Sequence, residues 1–265
     1  MKSLVQCESA VKYFGKVKAL DNIGFNIEAG QIIGLLGENG SGKTSLLNCM
    51  AGLSHLDSGD IKINDISVRN YKVKKELSYM PAISFFQPKW SVKKAAENFE
   101  KFFADFNKEK NKYLLDKLNI DKNTEFGSMS SGTLAKAKMI FTLSREAKLY
   151  LLDEPFANID LIAREEIYSL ILSEFNPEAK LYLLDEPFAN IDLIAREEIY
   201  SLILSEFNPD TTIILSTHFI NEIEMLFDRV ILMKDGRAEA DINVEEYKEK
   251  NDKSVVEFYR EIMKR

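Results

Sequence analysis

Residues 37–44 read Gly-Glu-Asn-Gly-Ser-Gly-Lys-Thr, a segment that leaves the chain around it little freedom of fold. Its glycines permit the tight curvature by which successive backbone N–H groups surround phosphate oxygens. Such a loop needs an apolar strand running into it and a helix running out. Gln31–Leu36 predicts that strand and Lys43–Ala51 that helix, whose positive end favours an anion. Gly37, Glu38, Asn39, Gly40, Ser41 and Gly42 form the cradle, with Ser45 just beyond it. Lys43 is expected to reach the β- and γ-phosphates of ATP, and the Thr44 hydroxyl to ligate Mg2+.

The second dominant feature is a repeat. Residues 147–177, AKLYLLDEPFANIDLIAREEIYSLILSEFNP, recur unchanged at 179–209, with Glu178 after the first copy and Asp210 after the second. Diverged structural repeats share periodic positions, not every surface residue. Identity over 31 residues points instead to a recent or deliberate tandem duplication, or to a sequence-assembly error. Each copy carries a strand, a turn and a helix. One phosphate loop has room beside it for one acidic strand end, so the surplus copy is expected to loop out, add an edge strand or stay partly disordered. Edge addition would expose the short, β-prone LYLL run.

Around these features the chain alternates strand and helix. A helical, strongly charged pattern over 91–145 interrupts the strands, with Phe99, Phe102, Phe103 and Phe106 among lysines and glutamates. Strands are expected again at Lys148–Leu152, Thr212–Leu215 and Arg229–Met233. A charged tail, 236–265, follows, with an amphipathic helix near Val255–Met263. The balance of 35 Lys and Arg against 42 Asp and Glu, a net charge of −7, gives no general case for nucleic-acid binding. Two cysteines make no disulfide framework and fit a reducing cytosol. No signal peptide is apparent, and no segment approaches the roughly 20 apolar residues needed to span a bilayer, so a membrane role is expected to be peripheral.

Each repeat ends its apolar strand in Leu-Leu-Asp-Glu. Asp153 or Asp185 is placed to hold the metal, through water, and Glu154 or Glu186 to polarise an attacking water. His218 follows the strand Thr212–Leu215 and would meet the same sheet edge, where it could sense the γ-phosphate; His55, in the loop 53–59, reads as surface or packing. Ser130-Ser131-Gly132-Thr133 precedes a helix carrying Lys136 and Lys138. It is equally compatible with a simple helix cap and with an anion-facing turn.

Together these segments resemble the nucleotide-binding subunits of ABC transporters, over nearly all of residues 3–235. Met129-Ser130-Ser131-Gly132-Thr133 lies where the family has its signature LSGGQ. LLDEP with Asn158-Ile159-Asp160, or with Asn190-Ile191-Asp192, is similar to its second acidic motif and D-loop. Ser216-Thr217-His218 is similar to its switch histidine, and Phe14 to its adenine-stacking aromatic. The resemblance implies an α/β P-loop NTPase fold over 1–235, with an ABC-type core sheet, an antiparallel β subdomain and an inserted helical subdomain. It also implies ATP hydrolysis with Mg2+ at the cytoplasmic face of the membrane. The expected partners are a second ABC ATPase subunit in a head-to-tail dimer, its signature turn Ser130, Ser131 and Gly132 facing the other's phosphate loop, and separately encoded transmembrane permease subunits. Export is the expected direction.

Three departures qualify the resemblance. Ser131 and Thr133 replace the first glycine and the glutamine of the signature. Ala82 follows Tyr79-Met80-Pro81 where the family has a metal-ligating glutamine, and Gln87 could replace it only through a remodelled loop. Finally, the first copy keeps ordinary spacing from the signature, Gly132 to Asp153 being 21 residues; the second keeps ordinary spacing to the switch, Glu186 to His218 being 32. The surplus unit can therefore be assigned to either side. The short connection from the signature helix and the order of synthesis favour the first copy in the core, with Glu154 as the active carboxylate.

Overall fold

The computed structural model describes residues 3–156, 159–174, 176, 178–187, 203, 210–218 and 224–263. An antiparallel sheet of order β2-β1-β4-β5 is built from β1 (Ser3–Phe14), β2 (Val17–Glu28), β4 (Ser58–Ile63) and β5 (Ile66–Ser67). The main sheet uses β3 (Ile32–Leu36), β6 (Leu77–Met80), β7 (Leu149–Asp153), β8 (Leu181–Asp185), β9 (Thr212–Thr217), β10 (Arg229–Lys234) and β11 (Arg237–Asn243). Its order is β11-β10-β3-β9-β8-β7-β6, and every pair but β10–β11 is parallel. Helix α1 (Lys43–Met50) leaves the loop after β3, and α2 (Tyr71–Lys75) precedes β6. Three helices, α3 (Val92–Phe102), α4 (Lys108–Lys117) and α5 (Ser131–Leu143), lie between β6 and β7, and α6 (Leu161–Glu174) follows β7. The chain then closes with α7 (Val244–Asn251) and α8 (Val255–Met263).

The surplus acidic strand follows none of the expected courses. Both copies lie inside the sheet, side by side and in register, from Leu149↔Leu181 to Asp153↔Asp185. The physical reason is burial. Leu149, Tyr150, Leu151 and Leu152 are each at most 4% exposed, as a parallel strand covered on both faces requires. Each such side chain contributes about 1.5–3 kcal/mol when withdrawn from water, and an edge position would leave one backbone edge unpaired besides. Leu149, Leu151, Leu181 and Leu183 share a core with Leu46 and Leu47 of α1, while Tyr150, Leu152, Tyr182 and Leu184 face Phe141 and Ile167. The two tyrosine rings stack at 4.9 Å and 13°. Their hydroxyls are satisfied locally: Tyr150 donates to the Arg145 carbonyl, and Tyr182 accepts from the Asn176 N–H at 2.9 Å.

The expectation that the first copy borders the core strands on the loop side is corrected by this order. β8, from the second copy, pairs with β9, and β9 pairs with the loop strand β3; β7 is one strand further out, against β6. The tail also begins differently from expectation, because Arg237–Asn243 is a strand whose exposure alternates residue by residue. The helix that the repeat predicts after β8 lies outside the described residues, apart from residue 203.

Candidate functional site

The phosphate loop is fixed by its neighbours before any ligand is considered. Gly42 takes φ 105°, and a Cβ there would lie 2.5 Å from the Ala19 carbonyl oxygen, so no side chain fits. The Gly236 N–H, in the β10–β11 turn, donates to the Ser41 carbonyl at 3.1 Å. Lys43 is buried and donates to the carbonyls of Gly37 (2.7 Å) and Glu38 (3.2 Å), which curls its ammonium back over the loop. Thr44, at the start of α1, is exposed. The Ser41 hydroxyl is buried with no hydrogen-bond partner, as expected of a loop built around an anion it must still receive.

The second copy supplies the carboxylate beside this loop. Glu186 Oε1 lies 3.3 Å from Lys43 Nζ, an ion-pair distance without hydrogen-bond alignment, and Glu186 Oε2 lies 2.9 Å from His218 Nδ1. Asp185, buried at 3% exposure, accepts a hydrogen bond from Ser216 Oγ. The Glu186 N–H in turn donates to the Ser216 carbonyl (3.1 Å) and Oγ (3.0 Å). Lys43, Asp185, Glu186 and His218 thus meet at the ends of adjacent strands and the helix start.

The first copy makes the same turn in different company. Glu154 and Glu186 both have φ 44°, in the left-handed region, and each hooks its N–H onto the neighbouring strand end, Glu154 onto the Asp185 carbonyl at 3.0 Å. But Asp153 accepts from the Tyr79 hydroxyl (3.3 Å) and the Ala82 N–H (3.4 Å), groups of the β6 end. Burial, then the neighbouring Asp185 charge, raises the Asp153 carboxyl above its usual range; burial, then Asp153, pushes the Tyr79 phenol up to about 12. Glu154, although exposed, is raised by partial desolvation and by three carboxylates, Asp153, Asp185 and Glu186.

This has a stability consequence. A carboxyl whose folded pKa exceeds its unfolded value favours the fold below the unfolded value, and that contribution is lost as pH rises through the folded one. At pH 7 ionised Glu154 is therefore a net cost. E154Q is expected to melt higher than wild type at pH 7, with the gap closing as pH falls to about 4, a pair of melting curves that scanning fluorimetry can compare.

Ser130 caps α5, its hydroxyl accepting from the Thr133 N–H at 3.2 Å, and leaves Ser131 exposed. The turn is mounted on the first copy. A Cβ on Gly132 would lie 2.8 Å from Ala163 Cβ and 2.9 Å from Asp160 Oδ2, and Lys136 pairs with Glu166 of α6 at 2.8 Å. Phe14 is half exposed, with the Lys12 ammonium 5.2 Å from its ring centre. Gln87 is exposed beside Phe86, whose ring stacks on Phe126 at 3.9 Å; no described contact joins it to the loop or the carboxylates. His55 is exposed. Asn158 and Asn190-Ile191-Asp192 lie outside the described residues.

One feature the sequence did not announce is a groove of about 420 Å³, lined among others by Leu53, Lys74, Tyr79, Phe85, Phe99 and Arg145. Phe85 and Leu53 are 42% and 41% exposed. Arg145 is held there by Asp105 (2.6 and 2.9 Å) and lies 4.0 Å from the Phe103 ring centre. Among the described residues no helix is long and apolar enough to cross a membrane.

Residues 20–157 match the family model described as ABC transporter. The chain is 28% identical over 158 residues to the ABC transporter ATP-binding protein YtrB of Bacillus subtilis, covering 59% of this chain and about half, 54%, of that relative. It is 28% identical to an aliphatic sulfonates import ATP-binding protein, SsuB 2 of Pseudomonas savastanoi, over 91% of this chain and 75% of the relative. The SkfA peptide export ATP-binding protein SkfE of Bacillus subtilis is 23% identical, over 93% and 92%. A solved ATP-binding subunit of an ABC transporter superposes with a TM-score of 0.69 at 17% identity, covering 98% of this chain and all of that one, which establishes the likeness of fold.

Proposed function

Because the chain belongs to the ABC transporter family, we propose that it binds and hydrolyses ATP to drive transport through separate membrane subunits, with the second repeat supplying the hydrolytic carboxylate. The observation that carries this reading is the meeting of Glu186 with Lys43 and His218, at 3.3 and 2.9 Å, beside a loop shaped for phosphate. Lys43 and the loop N–H groups hold the phosphates, and Phe14 stacks on adenine. Thr44 and Asp185 would hold Mg2+, and their hydroxyl and carboxylate oxygens suit a hard cation. When bound, that ion neutralises charge on the phosphates. Glu186 takes the proton of the attacking water, while His218 orients the Glu186 carboxylate and faces the γ-phosphate.

The exposed turn at Ser131 and the groove around Phe85 support the reading of the partners. A second ABC ATPase subunit offers its Ser130–Gly132 turn to the phosphate loop. The groove around Phe85 receives a short apolar segment of a permease at the cytoplasmic face of the membrane. Export is supported by the peptide-export relative, which this chain matches over 92% of its length; the sulfonate-import relative supports the opposite direction over 75%. Transport of a candidate substrate into inverted vesicles would favour export. For the groove, F85D is expected to abolish copurification with a multispanning protein from detergent-solubilised membranes. Retention of that partner by F85D would place the docking site elsewhere.

A further inference from the structure

Identical sequences on adjacent strands have been given different neighbours, and this invites a role for the copy that does not border the loop. Asp153 reaches away from the phosphate loop to the segment after β6. Its Oδ2 accepts from Tyr79 Oη at 3.3 Å and from the Ala82 N–H at 3.4 Å. The Ala82 carbonyl is held from its other side by Lys138 Nζ, at 2.9 Å, from the buried face of α5. Burial depresses Lys138 below the usual lysine range and the Asp153 charge opposes that shift, which fits a cation and an anion gripping the backbone of one residue, Ala82, between them. Tyr79, Pro81 and Phe85, in the same segment, form a wall of the groove.

On the other side Asp153 is tied to the catalytic strand ends. The Glu154 N–H donates to the Asp185 carbonyl, Asp185 accepts from Ser216 Oγ, and Ser216 Oγ accepts from the Glu186 N–H. Hydrogen bonds joined by short stretches of main chain therefore link the Glu186 backbone, at the strand end beside Lys43, to the groove wall. The geometry points to Asp153 as a positioning residue that, together with Lys138, couples the groove wall to the nucleotide site. The first copy transmits; the second hydrolyses. This rests on the reading of Glu186 as the hydrolytic carboxylate and deepens it. An alanine at position 82 leaves the segment no polar side chain of its own there, so its backbone serves as the handle.

The test is amide hydrogen exchange over residues 81–86 with and without Mg-ATP, alongside steady-state ATP hydrolysis, for wild type, D153A, D153N and K138M. In D153A, exchange at these amides is expected to rise roughly tenfold, and the change that Mg-ATP produces there in wild type is expected to vanish. D153N keeps an acceptor oxygen and is expected to restore both. KM for ATP should stay within about twofold in all three variants. K138M releases the same residue, Ala82, from the other side and decides the matter if D153A does not fold: exchange at 81–86 must rise. Unchanged exchange in K138M and D153A overturns the coupling role. So does a D153A protein as inactive as E186Q, which would put Asp153 in the nucleotide site. Absence of ATP turnover in wild type would defeat the functional reading itself, a result separable from either.

Discussion

E186Q is expected to lower kcat for ATP hydrolysis by about 100-fold or more, whereas E154Q is expected to change it by less than about threefold. The two residues have identical sequence surroundings for many positions on either side, so the contrast would come from the sheet alone. Glu186 ends the strand next to β9 and meets Lys43 and His218. Glu154 ends the next strand out and is exposed. Glutamine preserves the size of the side chain but cannot accept the proton of an attacking water. It also removes a carboxylate from beside the Lys43 ammonium, leaving that ammonium freer to meet phosphate. Mg-ATP should therefore bind E186Q more tightly while turning over more slowly, and this split separates a lost base from a damaged site. Radiolabelled ATP binding and phosphate release measure the two halves. Equal loss in E154Q and E186Q would mean that either strand can take the position beside β9.

Much of this site could be read from the sequence, because it depends on local chemistry. The loop Gly37–Thr44 specifies its own strand and helix, and the Leu-Leu-Asp-Glu endings mark where two strands deliver carboxylates. Which ending meets the loop could not be read, since a choice between identical segments is made only by strand order. The hydrophobic pattern of LYLL does not distinguish an edge place from an interior one; for the first copy, pairing on both sides and burial of residues 149–152 at 4% exposure or less reveal the interior place. Strand β11 was obscured for a different reason. In Arg237–Asn243 the inward residues are Ala238, Ala240 and Ile242, too small a hydrophobic signal among charges to stand out, although the period is two. The groove was hidden because its lining comes from distant segments, Leu53, Tyr79, Phe99 and Arg145, which only the packed helices assemble.

Deleting residues 178–209 is expected to turn the silent E154Q substitution into an inactivating one. Residues 146 and 178 are both Glu, so this deletion leaves the same chain as removing 146–177, with one copy joined directly to Asp210. Its single acidic strand must then pair with β6 on one edge and β9 on the other. Asp153 would inherit both sets of partners now divided between the copies: Tyr79 and Ala82 on one side, Ser216 on the other. Glu154 would inherit Lys43 and His218. The sheet would narrow by one strand spacing, about 4.8 Å, drawing β6 and the helices after it towards the phosphate loop. The fold has the means to make this change, because the strand run and its burial on both faces are the same in either copy. The one-copy chain should hydrolyse ATP, and E154Q within it should lose about 100-fold, the loss that E186Q causes in the full chain. Four proteins in one ATPase assay decide the point: full chain and one-copy chain, each with and without E154Q. If E154Q stays silent after the deletion, neither acidic strand provides the base. If it becomes inactivating, position in the sheet has assigned the chemistry that sequence left undivided.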